Sequence, residues 1–216
     1  MKTKLVSLLA AAVMAASFMT SCSSNDSGKD SSSDKTNMYG YSEFSEKFAD
    51  IADIPEGPQL TLSNTTAKAG GIAEVTLSVS NADLKWNMCG IHITFPDVFD
   101  CVLKNEEERL VEFQKGTALE FATGVVSMEW QEGLPEELIK ARQGCVFITA
   151  MFNGDYGQDG DIATFYFQIP ETAAVGAVYN VDLYYQSTDI FSNTAGSAEF
   201  EKYAFEHAVG GTVTIE

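Results

Sequence analysis

The sequence predicts an all-β domain: nine short strands in two antiparallel sheets packed face to face, a β-sandwich or jelly roll, with one or two short helical insertions. Three observations lead there. Apolar and polar residues alternate with period two in run after run, the mark of strands with one buried and one open face. The runs are short and are separated by turn-forming Gly, Pro, Asn and Asp clusters. About 160 residues follow a polar N-terminal segment, enough for one domain with a full core.

The runs come in order. Residues 37–57 carry little pattern beyond Tyr39, Tyr41, Phe44 and Phe48, and Pro55, Gly57 and Pro58 then punctuate the chain, so the domain is expected to span 58–216. Gln59–Ser63 points Leu60 and Leu62 to one side, and Asn64–Gly71 reads as a turn. Ala73–Ser80 sets Ala73, Val75, Leu77 and Val79 against Glu74, Thr76, Ser78 and Ser80. Met88–Phe95 sets Cys89, Ile91, Ile93 and Phe95 against Met88, Gly90, His92 and Thr94. Pro96-Asp97 turns the chain into Val98–Leu103. In Gly124–Gln131 the apolar set Val126, Met128 and Trp130 is expected inward, leaving Val125, Ser127 and Glu129 outward. Cys145–Asn153 is apolar on both faces; with Val146, Ile148, Ala150 and Phe152 in the core, Phe147, Thr149 and Met151 face out. Ile162–Ile169 and Tyr179–Ser187 alternate again, the latter leaving Asp182, Tyr184 and Gln186 outward, and Gly210–Glu216 closes the fold.

Two insertions read as helical. In Pro135–Gln143, Pro135 suits the first helical position, Glu136 and Glu137 the first turn, Lys140 and Arg142 the last, and Gly144 the stop. Asn105–Glu120 opens with three glutamates and places Leu110 and Phe113 on one side.

The N-terminus predicts export. Lys2 and Lys4 precede an apolar run, Leu5 to Phe18, which is shorter than the ~20 residues a permanent span needs. Met19-Thr20-Ser21-Cys22 resembles the lipobox of bacterial lipoproteins, in which the cysteine is lipidated and becomes the first mature residue. An ordinary signal peptide with an incidental Cys22 is the competing reading. The segment from Ser23 to Thr36 favours a tether, because it holds no apolar residue and cannot bury enough surface to offset the entropy of ordering. The expected arrangement is a signal peptide over 1–21, a lipidated tether over 22–57 and a domain held on the outer face of a bacterial membrane.

Composition excludes several partners. Residues 1–21 hold two of the 13 basic residues and none of the 31 acidic ones, so the mature chain keeps 11 basic residues and a net charge of −20. Nucleic acid and anionic headgroups both require basic patches, so neither is an expected ligand, and the lipid is the expected link to the membrane. The acidity serves solubility, or steering toward a basic partner. Cys89, Cys101 and Cys145 sit in apolar runs and read as buried free thiols, with a Cys89–Cys101 bridge as the alternative.

Catalytic chemistry finds no anchor. His92 and His207 lack a second histidine at zinc spacing, and no nucleophile elbow or phosphate loop is present. The loop Asn153–Asp161 offers Asp155, Gly157, Asp159 and Gly160 at positions 1, 3, 5 and 6 of an EF-hand-like loop, but position 12 is Tyr166 where a glutamate is required. It reads as a polar connection. No metal, cofactor or catalytic residue is expected. The remaining signal is a sheet face mixing Phe, Met, Tyr and small residues, the composition of a protein-binding patch.

Over Gln59 to Glu216 the chain resembles a cohesin, the cellulosomal module that captures dockerins. The carrying segments are Lys68-Ala-Gly-Gly71 with Glu74–Val79, which resembles the entry into the second cohesin strand; Met88–Val98, similar to the third strand and the turn after it; Gly160–Phe167; and the closing Gly210–Ile215. The divergent cohesins of rumen and gut ruminococci are the most similar group. Many cohesins carry Asn and Asp around the third-strand cysteine, where this chain has Met88 and Gly90. The resemblance implies a nine-stranded jelly roll that is not an enzyme and acts as a monomer. It implies a dockerin-bearing partner on the sheet of the third, fifth, sixth and eighth strands. Carried onto this chain, that face holds Met88, Gly90, His92, Thr94, Ser127, Glu129, Phe147, Thr149, Met151, Asp182, Tyr184 and Gln186. Calcium in such complexes belongs to the dockerin. The alternative from a different class is a carbohydrate-binding surface lipoprotein, for which only Trp86 and Trp130 offer indole platforms.

Overall fold

A computed structural model describes residues 41–216. Cys22, the apolar leader, Tyr39 and most of the expected tether lie outside the described residues. In chain order the described elements are α1 (Tyr41–Phe48), β1 (Gln59–Leu62), β2 (Thr65–Ala67), β3 (Ile72–Ser80), β4 (Met88–Pro96), β5 (Asp100–Cys101), β6 (Leu103–Asn105), β7 (Leu110–Val111) and β8 (Phe113–Lys115). They continue with β9 (Gly124–Trp130), α2 (Glu136–Ala141), β10 (Gln143–Met151), β11 (Gly160–Gln168), β12 (Val178–Tyr184), β13 (Ile190–Ser192), α3 (Ala198–Glu206) and β14 (Gly211–Ile215).

All nine predicted runs contain a strand. They form two sheets: a smaller one ordered β1-β3-β11-β5, with β8 also on β11, and a larger one ordered β2-β14-β12-β4-β10-β9-β7-β6, with β13 beside β12 on β4. The pairing is antiparallel except between β14 and β2. The alternating residues build the core between the sheets. Val75 and Leu77 of β3 and Phe165 and Phe167 of β11 meet Ile91, Ile93 and Phe95 of β4 and Val146 and Ile148 of β10, all essentially inaccessible. Phe95 and Phe167 join the layers, with ring centroids 4.7 Å apart.

Several expectations change. The domain starts before 58, because α1 buries Phe44 and Phe48 in the main core against Tyr185. The segment 41–57 is therefore part of the folded unit and no tether. Asn105–Glu120 is not an α-helix; it holds short strands and a single 3-10 turn at Thr117–Leu119. Asn105 Oδ1 accepts the backbone N–H groups of Glu107 and Glu108, Arg109 takes a left-handed φ of 53°, and the chain folds back as β6 and β7. The glutamates thus occupy a turn. Within the expected turn Asn64–Gly71, β2 adds a short strand. Finally, α3 arises where no helix was expected: Ser197 caps it by accepting from Phe200 N–H, and Phe200, Ala204 and Phe205 enter the core.

The insertion at Pro135 does form a helix, α2, with Pro135 as its cap rather than its first residue. It ends on Arg142 in the left-handed conformation, so Gly144 is not the stop. No described helix is long and apolar enough to cross a membrane.

Candidate protein-binding face

The outer face of the larger sheet is set by the register of β4 with its neighbours. Four rows of side chains cross it. Asp182, Thr94, Cys145 and Trp130 form the first row, and Tyr184, His92, Phe147, Met128 and Leu110 the second. Ile190, Gly90, Thr149 and Val126 make the third, and Ser192, Met88, Met151 and Gly124 the fourth. The alternation of β4, β10 and β12 therefore places Met88, Gly90, His92, Thr94, Phe147, Thr149, Met151, Asp182 and Tyr184 on one face, as expected. Gln186 lies just past β12, where its backbone N–H donates to Asp189 Oδ2 at 3.2 Å.

In β9 the parity is the reverse of that expected. Val126 and Met128 are 46% and 43% exposed, while Ser127 is 2% exposed and Val125 packs on the core. Ser127 tolerates burial because its hydroxyl donates to Phe147 O at 2.9 Å. Glu129 follows Ser127 in parity, and its carboxylate accepts from the Arg109 guanidinium. Ser127 and Glu129 leave the face, and Val126, Met128 and Trp130 join it. The rule that the apolar set faces inward fails because this sheet is apolar on both sides. The pairing with β10, whose parity was legible, is the signal that finds these three residues.

Sharing the face does not make every residue accessible. Gly90 lies under its neighbours: a Cβ there would stand 3.2 Å from Ile190 Cγ2 and 3.3 Å from Phe147 Cζ. Its lack of a side chain lets the Phe147 ring lie across β4. Thr94 is buried and donates to Asp182 O at 3.2 Å. His92 and Tyr184 are buried as well. The His92 ring sits among Phe147, Trp130 and Tyr184, at centroid distances of 4.6, 5.1 and 6.2 Å. Its Nδ1 is 2.6 Å from Oδ1 of buried Asp189. That contact fixes the loop after β12 onto the sheet, so His92 positions the aromatic layer. Burial raises the carboxyl pKa of Asp189 above the usual range, opposed by the hydrogen bond to His92, and burial alone does the same for Asp182.

The accessible part is consequently an apolar strip: Val126, Met128 and Met151, the last 50% exposed, beside half-buried Phe147, Thr149 and Met88. One end of it is covered. Leu138 of α2 packs on Cys145 and Tyr184, with Trp130 and Leu134 alongside, and the Trp130 indole N–H donates to Glu132 O at 2.9 Å. The other end, at Met151, is open. Trp86 is wholly buried and offers no platform to a ligand.

Other polar groups serve the fold. The three thiols are free and buried; burial pushes Cys89 and Cys101 up to about 12 and Cys145 further, which keeps them protonated and unreactive at neutral pH. In the loop after β10, Asp155 accepts from Thr194 N and Oγ1 and Asp159 from the N–H groups of Asn81 and Ala82, and at the start of β11 Asp161 accepts from Ser78 Oγ. Asp53, Glu206 and His207 approach one another within 4.8 Å. The Lys202 ammonium already joins both of those carboxylates, at 2.5 and 3.2 Å.

No family model matches the chain. No curated protein matches it by sequence. Solved structures do. A type III cohesin module from the cellulosomal cell-surface anchoring scaffoldin ScaE of Ruminococcus flavefaciens superposes with a TM-score of 0.61, covering 85% of this chain and 95% of the module at 19% identity. This is the cohesin fold. The third ScaC cohesin of Acetivibrio cellulolyticus, solved in complex with the ScaB dockerin, has a TM-score of 0.52 at 17% identity over 73% of this chain and 98% of its own. The OlpA cohesin of Clostridium thermocellum, solved with the dockerin Doc918, has a TM-score of 0.51 at 13% identity over 74% of this chain and all of its own. At these identities the likeness is one of fold. The cohesin fold accounts for the two-sheet sandwich, and the wider coverage of the type III module includes more of this chain than the type I cohesins do.

Proposed function

We propose that this chain is a non-catalytic anchoring protein whose cohesin-fold domain binds the dockerin of another protein, holding a polysaccharide-degrading complex at the cell surface through a lipid on Cys22. The observation that carries this reading is the open apolar strip on the β12-β4-β10-β9 face of a cohesin fold. Val126, Met128 and Met151 expose apolar side chains at outward positions that ordinarily carry polar residues in a sandwich, and exposed apolar patches on a well-packed domain mark interaction surfaces. Two cohesins of this fold were solved with dockerins bound, which supports the choice of partner class.

The test is a binding screen of the full chain against the dockerin modules encoded in the source genome, run with calcium and with EDTA. At least one dockerin is expected to bind with calcium and to be released by EDTA, because the calcium belongs to the dockerin. Binding to none of them refutes the partner class.

The anchor has its own test. Cells expressing the full chain are expected to incorporate labelled palmitate into it and to retain it in the membrane fraction, and Cys22→Ala is expected to abolish both. Labelling that persists in C22A would refute lipidation at this residue.

A further inference from the structure

Beyond the sheet, the open end of the face continues into a cleft. Met151 pairs with Gly124 in the last row, and Thr123 closes the strand pair by donating both its N–H and its hydroxyl to Met151 O, at 2.8 and 3.0 Å. Immediately past this point Phe121, Thr123, Asn153 and Tyr156 line an open cleft of about 440 Å³. Its two aromatic walls are 54% and 53% exposed. Leaving a phenylalanine half in water forgoes stabilisation of roughly 25 cal/mol for each Å² that could have been buried.

The walls are held in place. Asp155 is clasped by Thr194, and Gly157 exchanges backbone hydrogen bonds with Trp86 O and Leu84 N–H at 2.9 and 2.8 Å, which fixes the loop on either side of Tyr156. On the opposite wall Ala122 N–H donates to Leu119 O at 3.0 Å. A cleft formed in advance binds with little ordering cost.

Its chemistry selects the occupant. Both Thr123 donors are already spent on Met151 O, which leaves the Asn153 amide and the Tyr156 hydroxyl as polar groups on the lining, while two aromatic side chains supply most of its apolar contact. The position matters as much. The far end of the sheet is covered by α2, which leaves the Met151 end, next to Thr123 of the cleft, as the end open to a partner.

We infer that this cleft is a socket for one large apolar side chain, aliphatic or aromatic, of the dockerin bound on the sheet face, and that it determines which dockerins are accepted. The inference rests on the dockerin-binding reading above. A nearly flat strip of methionine and valine is adaptable and discriminates poorly, whereas a socket with fixed walls rejects partners lacking the matching side chain.

The experiment compares the full wild-type chain with the Phe121→Ser/Tyr156→Ser double variant by titration calorimetry against the dockerins retained in the screen, with thermal melts as a folding control. Both residues are half exposed, so the melting temperature is expected to hold. Affinity is expected to fall about 30-fold, the loss typical of truncating anchor side chains. Unchanged affinity in the double variant, for a dockerin that Met151→Asp no longer binds, overturns the socket and leaves the functional reading standing. If the wild-type chain binds no dockerin, the functional reading itself fails and the socket with it. Gel retardation on soluble glycans completes the comparison: retardation of the wild type that the double variant loses, with dockerin affinity intact, makes the cleft a sugar site and overturns the proposal.

Discussion

Met151→Asp is expected to weaken dockerin binding by about 100-fold or more while lowering the melting temperature by no more than a few degrees. The side chain is 50% exposed at the end of β10, with Met88 and Gly124 as its row neighbours. Replacing it removes little core contact. On the proposed reading the same position becomes part of an apolar contact, where an unpaired carboxylate would lose its water and find no cation. That desolvation costs several kcal/mol, and each 1.4 kcal/mol is a factor of ten in affinity. Phe147→Asp would be a poorer probe, because the Phe147 ring lies on Gly90 and His92 and its loss would disturb the fold as well. Calorimetry paired with thermal melts reads the two effects separately. Undiminished affinity for M151D would move the interface off this face.

The same region shows where sequence reasoning reaches and where it stops. In β3, β4 and β10 one face is plainly apolar, or the run is bounded tightly enough to assign the core side, and the structure has the expected residues inside. In β9 the outward set Val126, Met128 and Trp130 is more apolar than the inward set, because the sheet carries apolar residues on both of its faces here. Period two then picks the wrong side, and only the hydrogen-bonded register with β10 reverses it. Residues 105–120 mislead for a different reason. A cluster of glutamates suits a helix N-terminus, but Asn105 captures two backbone N–H groups and Arg109 turns the chain, so local hydrogen bonding wins over propensity. Helix α3 was legible in principle: Ser197 as cap and Phe200, Ala204 and Phe205 at helical spacing are a recognisable signal. The cleft was not. Phe121 and Tyr156 come from separate loops, and no local pattern announces that they share a space.

Those loops depend on a residue that the sequence alone leaves ambiguous. Trp86 could have been an exposed platform for a sugar; instead it is fully inaccessible. Its indole stacks on Phe191 at 5.0 Å with an interplanar angle of 28° and meets the edge of Phe152 at 5.0 Å and 78°. The indole N–H donates to Gln158 O at 3.3 Å, and Gly157 lies so close against the ring that a Cβ there would overlap it. Trp86 therefore ties β13, the end of β10 and the Tyr156 loop into one packed unit. Trp86→Ala is expected to cost about 4 kcal/mol, through lost burial and an unfilled cavity, which for a domain of this size lowers the melting temperature by roughly 8–16 °C. Urea unfolding should show a lower midpoint with an unchanged slope, since the surface exposed on unfolding hardly alters. A loss below about 1 kcal/mol would place the indole at the surface, where single substitutions rarely cost more. Because the cavity would open behind the loop that carries Tyr156, dockerin affinity in W86A should fall even at temperatures where the domain stays folded, which Phe121→Ser alone would reproduce only in part.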